Sequence, residues 1–311
     1  MKHYRDCVPS VHLLVRSRIV MLSQTAAEIE INFRAFRFFL AARVDWYSLA
    51  LNVFTIAISM NIKSYLERIN YRGSLAHTSE ALRELQMAHL LTVPFENLSI
   101  HRKEAIVLET EALYGKIVVR RRGGFCYEAN GLFAALLRDL GFQVEMLAAE
   151  VARADGSFGL NFDHLALLVT INEQRWLADV GFGDSFREPL LLDESGEQLQ
   201  GRRAYKIVSE NAKFFLKQRD KSEDWETQYR FTLQPYEFAD FAGMCRYHQT
   251  SPQSHFTQKR ICTRATEVGR ITLSEMRFIT TLENGERHEE ALKNEDEYAA
   301  VLRERFGILL T

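Results

Sequence analysis

At Gly141 the hydrophobic period of the chain changes. Upstream, NIKSYLERI (61–69), SEALRELQMAHLLTV (79–93), EALYGKIVVR (111–120) and FCYEANGLFAALLRDL (125–140) space their apolar residues as amphipathic helices do. Ser79 is placed to cap the second of these, Pro94 forces its end, and Gly141 supplies the C′ residue of the last. Downstream, QVEMLAAEVA (143–152), DHLALLVTI (163–171), RWLADVGF (175–182), RAYKIVSE (203–210), KFFLKQR (213–219) and WETQYRFTL (225–233) tend to alternate, and turn residues separate them. Helices first and short neighbouring strands afterwards specify an α+β fold, its strands paired as an antiparallel barrel or sandwich. YEFADFAGMCRYHQTS (236–251) returns to a helical pattern. RICTRAT (260–266), GRITLSEM (269–276), RFITTLE (277–283) and the helical EDEYAAVLRERFGILL (295–310) then make a small α/β unit. The expected domains are a helical one over 60–142, a β-barrel over 143–245 and an α/β unit over 246–311.

Residues 1–59 do not follow this pattern. They are rich in Arg, Phe, Leu and Ile without a clean period. The opening MKHYRDCVPSVHLLVRSR does not read as a signal peptide, because Arg16 and Arg18 interrupt its apolar stretch. WYSLALNVFTIAISMNI (46–62) is uncharged, but it is shorter than the ~20 residues a spanning helix needs and contains Asn52 and Asn61, so no membrane partner is expected. The sequence after Met60 reads as a fresh start, and residues 1–59 are expected to be an extension outside the native fold. A formal net charge of −2 gives nucleic acid no electrostatic footing. Four scattered cysteines (Cys7, Cys126, Cys245 and Cys262) form no Cys-x-x-Cys pair and no Cys/His zinc spacing. The expectation is a reduced, cytoplasmic protein without a metal.

Chemistry concentrates around Cys126. It follows Arg120-Arg121-Arg122-Gly123-Gly124-Phe125 and opens a helix. There the unpaired backbone N–H groups and the positive end of the helix dipole favour a thiolate, the nucleophilic form of cysteine. A thiol nucleophile needs a base, and the base needs an orienting group. FDHLALLVTINEQRWLADVGFGD (162–184) supplies both. A turn centred on Asn172-Glu173 pairs residues whose numbers sum to 345, which sets Ala166 opposite Asp179. His164 shares the face of Ala166 and becomes a diagonal neighbour of Asp179, whereas a turn shifted by half a register step would put the two on opposite faces. His164 then takes the proton of Cys126 as an imidazolium–thiolate pair, Asp179 holds the ring, and the Cys126 N–H donates to an oxyanion. Each residue also has a plainer use: Cys126 as a small core side chain, His164 as a satisfied core histidine, Asp179 as a turn residue, and the arginine run as a solvated face.

The segments RRGGFCYEANGLF, DHLALLV and WLADVGFG, with VPFENLSIH (93–101) upstream, together resemble the arylamine N-acetyltransferases. The likeness runs from about Met60 to the C-terminus with the order and rough spacing of the four motifs kept. It implies a cysteine-protease-like core: an N-terminal helical bundle bearing the thiol, an antiparallel β-barrel bearing His and Asp, and a C-terminal α/β lid. It implies acetyl-CoA as co-substrate and an arylamine or arylhydrazine as acceptor, with Cys126 the acetylated nucleophile, His164 the base and Asp179 the orienting carboxylate. By the same resemblance Gly181, Phe182 and Gly183 lie along the pantetheine arm and pyrophosphate, and Arg122 has a structural role, for which a buried pairing with Glu96 is expected. Phe95, Phe125 and Tyr127, close to these motifs, are candidates for the acceptor pocket, with core packing as the plainer reading. A thiol hydrolase or transglutaminase-like enzyme would use the same three residues, and a binding module that has lost the chemistry would keep the fold alone.

Overall fold

The computed structural model describes residues 60–220 and 224–310, which belong to one compact unit. The expected extension over 1–59 and nearly all of the uncharged stretch 46–62 lie outside the described residues. The helices are α1 (Ile62–Arg68), α2 (Ser79–Thr92), α3 (Leu98–His101), α4 (Thr110–Tyr114), α5 (Cys126–Asp139), α6 (Ala242–Thr250) and α7 (Glu295–Phe306). The cap of α2 is Thr78, not Ser79. Thr78 has extended backbone and its side chain accepts from the Ala81 N–H at 3.2 Å, leaving Ser79 as the first helical residue. The helix expected over 111–120 is shared between α4 and a π-helical turn, Gly115–Val119, closed by Arg120 N–H to the Gly115 carbonyl at 3.1 Å. α6 runs across the expected 245/246 boundary.

The strands are β1 (Phe95–Glu96), β2 (Gln143–Val151), β3 (His164–Ile171), β4 (Gln174–Ala178), β5 (Leu190–Leu191), β6 (Gln198–Gln200), β7 (Arg203–Glu210), β8 (Lys213–Asp220), β9 (Glu226–Tyr236), β10 (Ile261–Thr266), β11 (Gly269–Ser274), β12 (Arg277–Leu282) and β13 (Arg287–Ala291). The larger sheet has eight strands in the order β5-β4-β3-β2-β9-β8-β7-β6, all antiparallel. Its two edges meet through side chains. The Gln198 amide bonds to the Leu191 N–H and carbonyl at 2.7 and 2.9 Å, while the Gln200 amide receives the Arg187 and Glu188 N–H groups at 2.8 and 3.1 Å and donates to the Glu188 carbonyl at 2.7 Å. Two glutamine amides thus take the place of ladder bonds and make the sheet barrel-like. The smaller sheet, β1-β10-β11-β12-β13, draws its first strand from the helical part of the chain.

β3 is buried on both faces, which is why LALLV reads as a continuous apolar run. Leu165, Leu167 and Val169 pack on the core around Leu132, Phe133, Leu136 and Leu137 of α5. Ala166 and Leu168 face the barrel interior with Leu177, Leu216 and Tyr229. One ionisable residue in the helical core sets a pH limit. His89 of α2 is fully buried, with its Nδ1 3.2 Å from the Tyr65 hydroxyl. Burial, and then the nearby Arg68 charge, depress its pKa from 6.5 to about 3. Below pH 6.5 the unfolded chain takes up a proton that the folded chain refuses, so stability falls with pH until about 3. The loss is about 1.4 kcal/mol per unit, or about 2 kcal/mol at pH 5. Urea unfolding of His89→Gln at pH 7.5 and 5.0 should give a pH-dependent loss smaller than that of the unsubstituted protein by about this amount; equal losses would assign the effect to other groups.

Candidate active site

The turn that delivers Cys126 is held from behind by charge. Glu96, in β1, donates its backbone N–H to the Gly124 carbonyl at 3.1 Å, and the Gly124 N–H donates to the Pro94 carbonyl at 3.3 Å. A Cβ on Gly123 would lie 1.9 Å from the Pro94 oxygen, so only glycine fits that approach. The Glu96 side chain is fully buried and accepts from Arg122 Nε at 3.0 Å and from the Leu98 N–H at 2.7 Å, with Arg122 Nη2 at 2.9 Å. The expected pairing of Arg122 with Glu96 is therefore present. Lys116 extends it, lying 3.7 Å from Glu96 and 2.8 Å from Glu128. Glu128 sits at N3 of α5 and accepts from the Phe125 N–H at 3.2 Å, completing a link from the charge cluster to the start of the nucleophile helix. Burial raises the Glu96 carboxyl, but Lys116, Arg122 and the Leu98 N–H outweigh it and hold its pKa below the ordinary value. Arg68, not noticed in the sequence, donates to the carbonyls of Ile117, Thr92 and Arg122 at 3.0, 2.9 and 3.2 Å.

The β3–β4 hairpin has the anticipated register: Leu167 faces Ala178 and Ile171 faces Gln174, sums of 345. Asn172 and Glu173 both have positive φ, 49° and 68°, the geometry of a two-residue hairpin turn with type I′ signs. Asp179 follows the end of β4, and its Oδ2 lies 2.7 Å from His164 Nε2. The carboxylate also accepts from Asn130 Nδ2 at 2.8 Å, the Gly181 N–H at 2.8 Å and the Tyr229 hydroxyl at 3.2 Å. Burial, then the Asp179 charge, push the Tyr229 hydroxyl well above its usual pKa, so it remains a donor. Asn130, one helical turn after Cys126, also donates to the Leu165 carbonyl at 2.7 Å and accepts from the Val180 N–H at 2.8 Å. It sews the thiol's helix to β3 and to the segment that follows β4. Gly181 lies against the helix start, where a Cβ would come within 2.8 Å of Cys126 Cα.

Cys126 is 3% exposed. Burial pushes its thiol well above the ordinary pKa, and the Cys245 sulfur and the Asp179 and Asp163 carboxylates add to the rise. Only the Leu165 N–H, bonded to the sulfur, opposes them. Burial opposes the thiolate, so a base must carry the proton away. With Nε2 of His164 engaged by Asp179, the ring nitrogen left for that task is Nδ1.

Cys126 and His164 line a cavity of about 680 Å³. Phe95, Gly181, Phe182 and Gly183 share it, and the Phe182 ring packs edge-on against His164 with centroids 5.1 Å apart. Phe125 and Tyr127 do not line it. Both are fully buried, Phe125 against Tyr127 and Phe256, and the Tyr127 hydroxyl donates to the Phe162 carbonyl at 2.7 Å. The far wall comes from His255, Phe256 and Lys259 and from β10–β13, through Ile261, Thr263, Arg270, Thr272 and Arg287. No motif marked these residues. Among the described residues no group of three or more His, Cys, Asp or Glu side chains is arranged to hold a metal ion, and no helix is long and apolar enough to cross a membrane.

A thiol, a carboxylate-held imidazole and an α+β frame with a barrel-like sheet define a class of thiol-bearing enzyme fold, and comparison with known proteins narrows it. The N-acetyltransferase family model matches residues 78–311. The chain is 33% identical over 276 residues to the arylamine N-acetyltransferase pineal gland isozyme NAT-10 of Gallus gallus, covering 81% of this chain and 95% of that one. Among solved structures, the arylamine N-acetyltransferase of Salmonella typhimurium superposes with a TM-score of 0.76 at 31% identity, covering 79% of this chain and 90% of that one. The Mycobacterium marinum enzyme, solved in complex with CoA, gives 0.73 at 31%, covering 80% and 93%. The chain belongs to the arylamine N-acetyltransferase family of acyltransferases.

Proposed function

We propose that this protein transfers an acetyl group from acetyl-CoA to the nitrogen of arylamines or arylhydrazines, in two half-reactions through acetyl-Cys126. The observation that carries the reading is the buried Asp179–His164 pair at 2.7 Å beside the sole thiol of a 680 Å³ cavity, counted among the described residues. His164 takes the Cys126 proton through Nδ1, and Asp179 stabilises the charged ring. Sulfur attacks the thioester carbonyl, the Cys126 backbone N–H supports the oxyanion, and CoA leaves with the proton returned by His164. An amine then attacks acetyl-Cys126, amide forms and the thiol is restored. Weakly basic arylamines are unprotonated near neutral pH and arrive ready to attack, whereas alkyl amines are mostly protonated.

Gly181, Phe182 and Gly183 provide a backbone edge for the pantetheine arm, and Lys259 and Arg287 on the opposite wall supply positive charge for phosphates. Phe95 and Phe256, with ring centroids 6.1 Å apart, offer aromatic surface to the acceptor. A nucleophilic thiol needs a reducing compartment, and the cytoplasm is the setting we propose. Incubation with acetyl-CoA alone, followed by intact-mass measurement and peptide mapping, should add one acetyl group, on Cys126. A thiol hydrolase would retain none. Double-reciprocal plots should be parallel; intersecting lines would refute the two-stage scheme.

A further inference from the structure

Asp163 lines the same cavity as Cys126 and His164, and its charge, like that of Asp179, raises the thiol. Several unrelated features put it there. Phe162 has φ of 66°, a left-handed conformation costly for an aromatic residue, and it turns the chain immediately before β3. The buried Tyr127 hydroxyl holds that turn, donating to the carbonyls of Phe162 and Asp163 at 2.7 and 3.3 Å. One carboxylate oxygen lies over Gly159, where a Cβ would sit 2.0 Å from it. The other is 3.1 Å from Nε2 of His248, whose Nδ1 pairs with the Ser254 hydroxyl at 2.9 Å. His248 and Ser254 are themselves buried. A strained residue, a buried hydroxyl, a gap left by glycine and a buried imidazole converge on a negative charge beside a sulfur that must ionise.

We infer that Asp163 recognises the acceptor: its carboxylate accepts an N–H of the attacking nitrogen in the second half-reaction. The inference rests on the acetyl-transfer reading above. The nitrogen lone pair forms the N–C bond, the carbonyl pair moves to oxygen, and nitrogen becomes positive with two hydrogens. One proton passes to His164 and from there to the departing Cys126 sulfur as the C–S bond breaks and C=O reforms. The other N–H stays on Asp163 and is retained in the amide. A carboxylate beside a nitrogen turning positive is favourable, whereas beside a departing CoA thiolate it is not. Asp163 therefore serves one half-reaction only, and it favours acceptors with two hydrogens on the attacking nitrogen: primary arylamines and terminal hydrazines.

The test is Asp163→Asn, with Asp163→Ala as a second variant and thermal unfolding as the control for folding. The rate of CoA release on mixing with acetyl-CoA should stay within about 3-fold of the unsubstituted enzyme, while kcat/KM for aniline falls about 10-fold or more, the worth of one hydrogen bond to a charged group. N-methylaniline has a single N–H, which goes to His164, so it loses only the charge stabilisation and its kcat/KM should fall clearly less than that of aniline. A fall of similar size in both half-reactions, or for both amines, would make Asp163 merely structural, and an unchanged kcat/KM for aniline would overturn the inference. Failure of the unsubstituted protein to acquire acetyl from acetyl-CoA would instead remove the functional reading beneath it.

Discussion

His164→Ala is expected to lower kcat/KM for acetyl transfer by about 10²–10⁴-fold, the usual worth of a positioned general base. It should also change how Cys126 reacts with a small alkylating agent. With the imidazole gone, burial, the Cys245 sulfur and two carboxylates act on the thiol with only the Leu165 N–H against them. Its pKa then lies above the ordinary value of about 8.5, and the alkylation rate should climb about tenfold per pH unit through and beyond that value. In the unsubstituted enzyme the proton has a second home on His164, stabilised by Asp179 at 2.7 Å, so alkylation near neutrality should be faster and vary less with pH. Iodoacetamide inactivation measured from pH 6 to 10 distinguishes the two. Profiles of the same shape and midpoint would mean that His164 does not govern the sulfur, and the proposed mechanism would lose its base.

How far the sequence revealed this site depended on the range of the interactions involved. The His164–Asp179 pairing was one of two arrangements the sequence allowed, and the two-residue turn at Asn172-Glu173 selects it, because register decides which side chains share a face. The helix beginning at Cys126 was legible from its own period and from Gly141, which has the positive φ (94°) of a C′ glycine. β1 was not, since two residues cannot display a period, and Phe95–Glu96 becomes a strand only because Ile261–Thr266 pairs with it from the far end of the chain. Nor was the closure of the larger sheet, which rests on the side chains of Gln198 and Gln200 and not on a strand pattern. Phe125 and Tyr127 adjoin the nucleophile in sequence, yet the helix turns both rings into the core. The cavity wall comes from Phe256 and from strands more than a hundred residues away from the thiol. Asp163 stood beside His164 in plain view; its entry into the cavity depends on the left-handed Phe162 and the hydroxyl of Tyr127, which local pattern does not disclose.

Arg122→Ala should both destabilise the protein and impair it. Arg122 and Glu96 are 6% and 0% exposed, and the guanidinium approaches one carboxylate oxygen through Nε and Nη2 at 3.0 and 2.9 Å. Such a pair gains little net stability over well-packed apolar residues, because both charges were stripped of water. Removing one partner is different: Glu96 would keep only the more distant Lys116, at 3.7 Å, as a counter-charge, and Lys116 is already committed to Glu128 at 2.8 Å. Breaking a buried pair in this way costs about 3–5 kcal/mol. For a domain of this size that lowers the melting temperature by roughly 10 °C. Arg122→Lys should recover only part of the loss, since an ammonium cannot present two N–H groups from a rigid plane. The damage should reach the chemistry too, because Glu96 in β1 bonds to Gly124 and the cluster reaches the Phe125 N–H through Glu128, so the turn before Cys126 loses its anchor. A thermal melt of Arg122→Ala, paired with acetyl transfer assayed well below its new midpoint, tests both parts. An unchanged melting temperature with unchanged activity would mean that the cluster neither stabilises the fold nor positions the thiol.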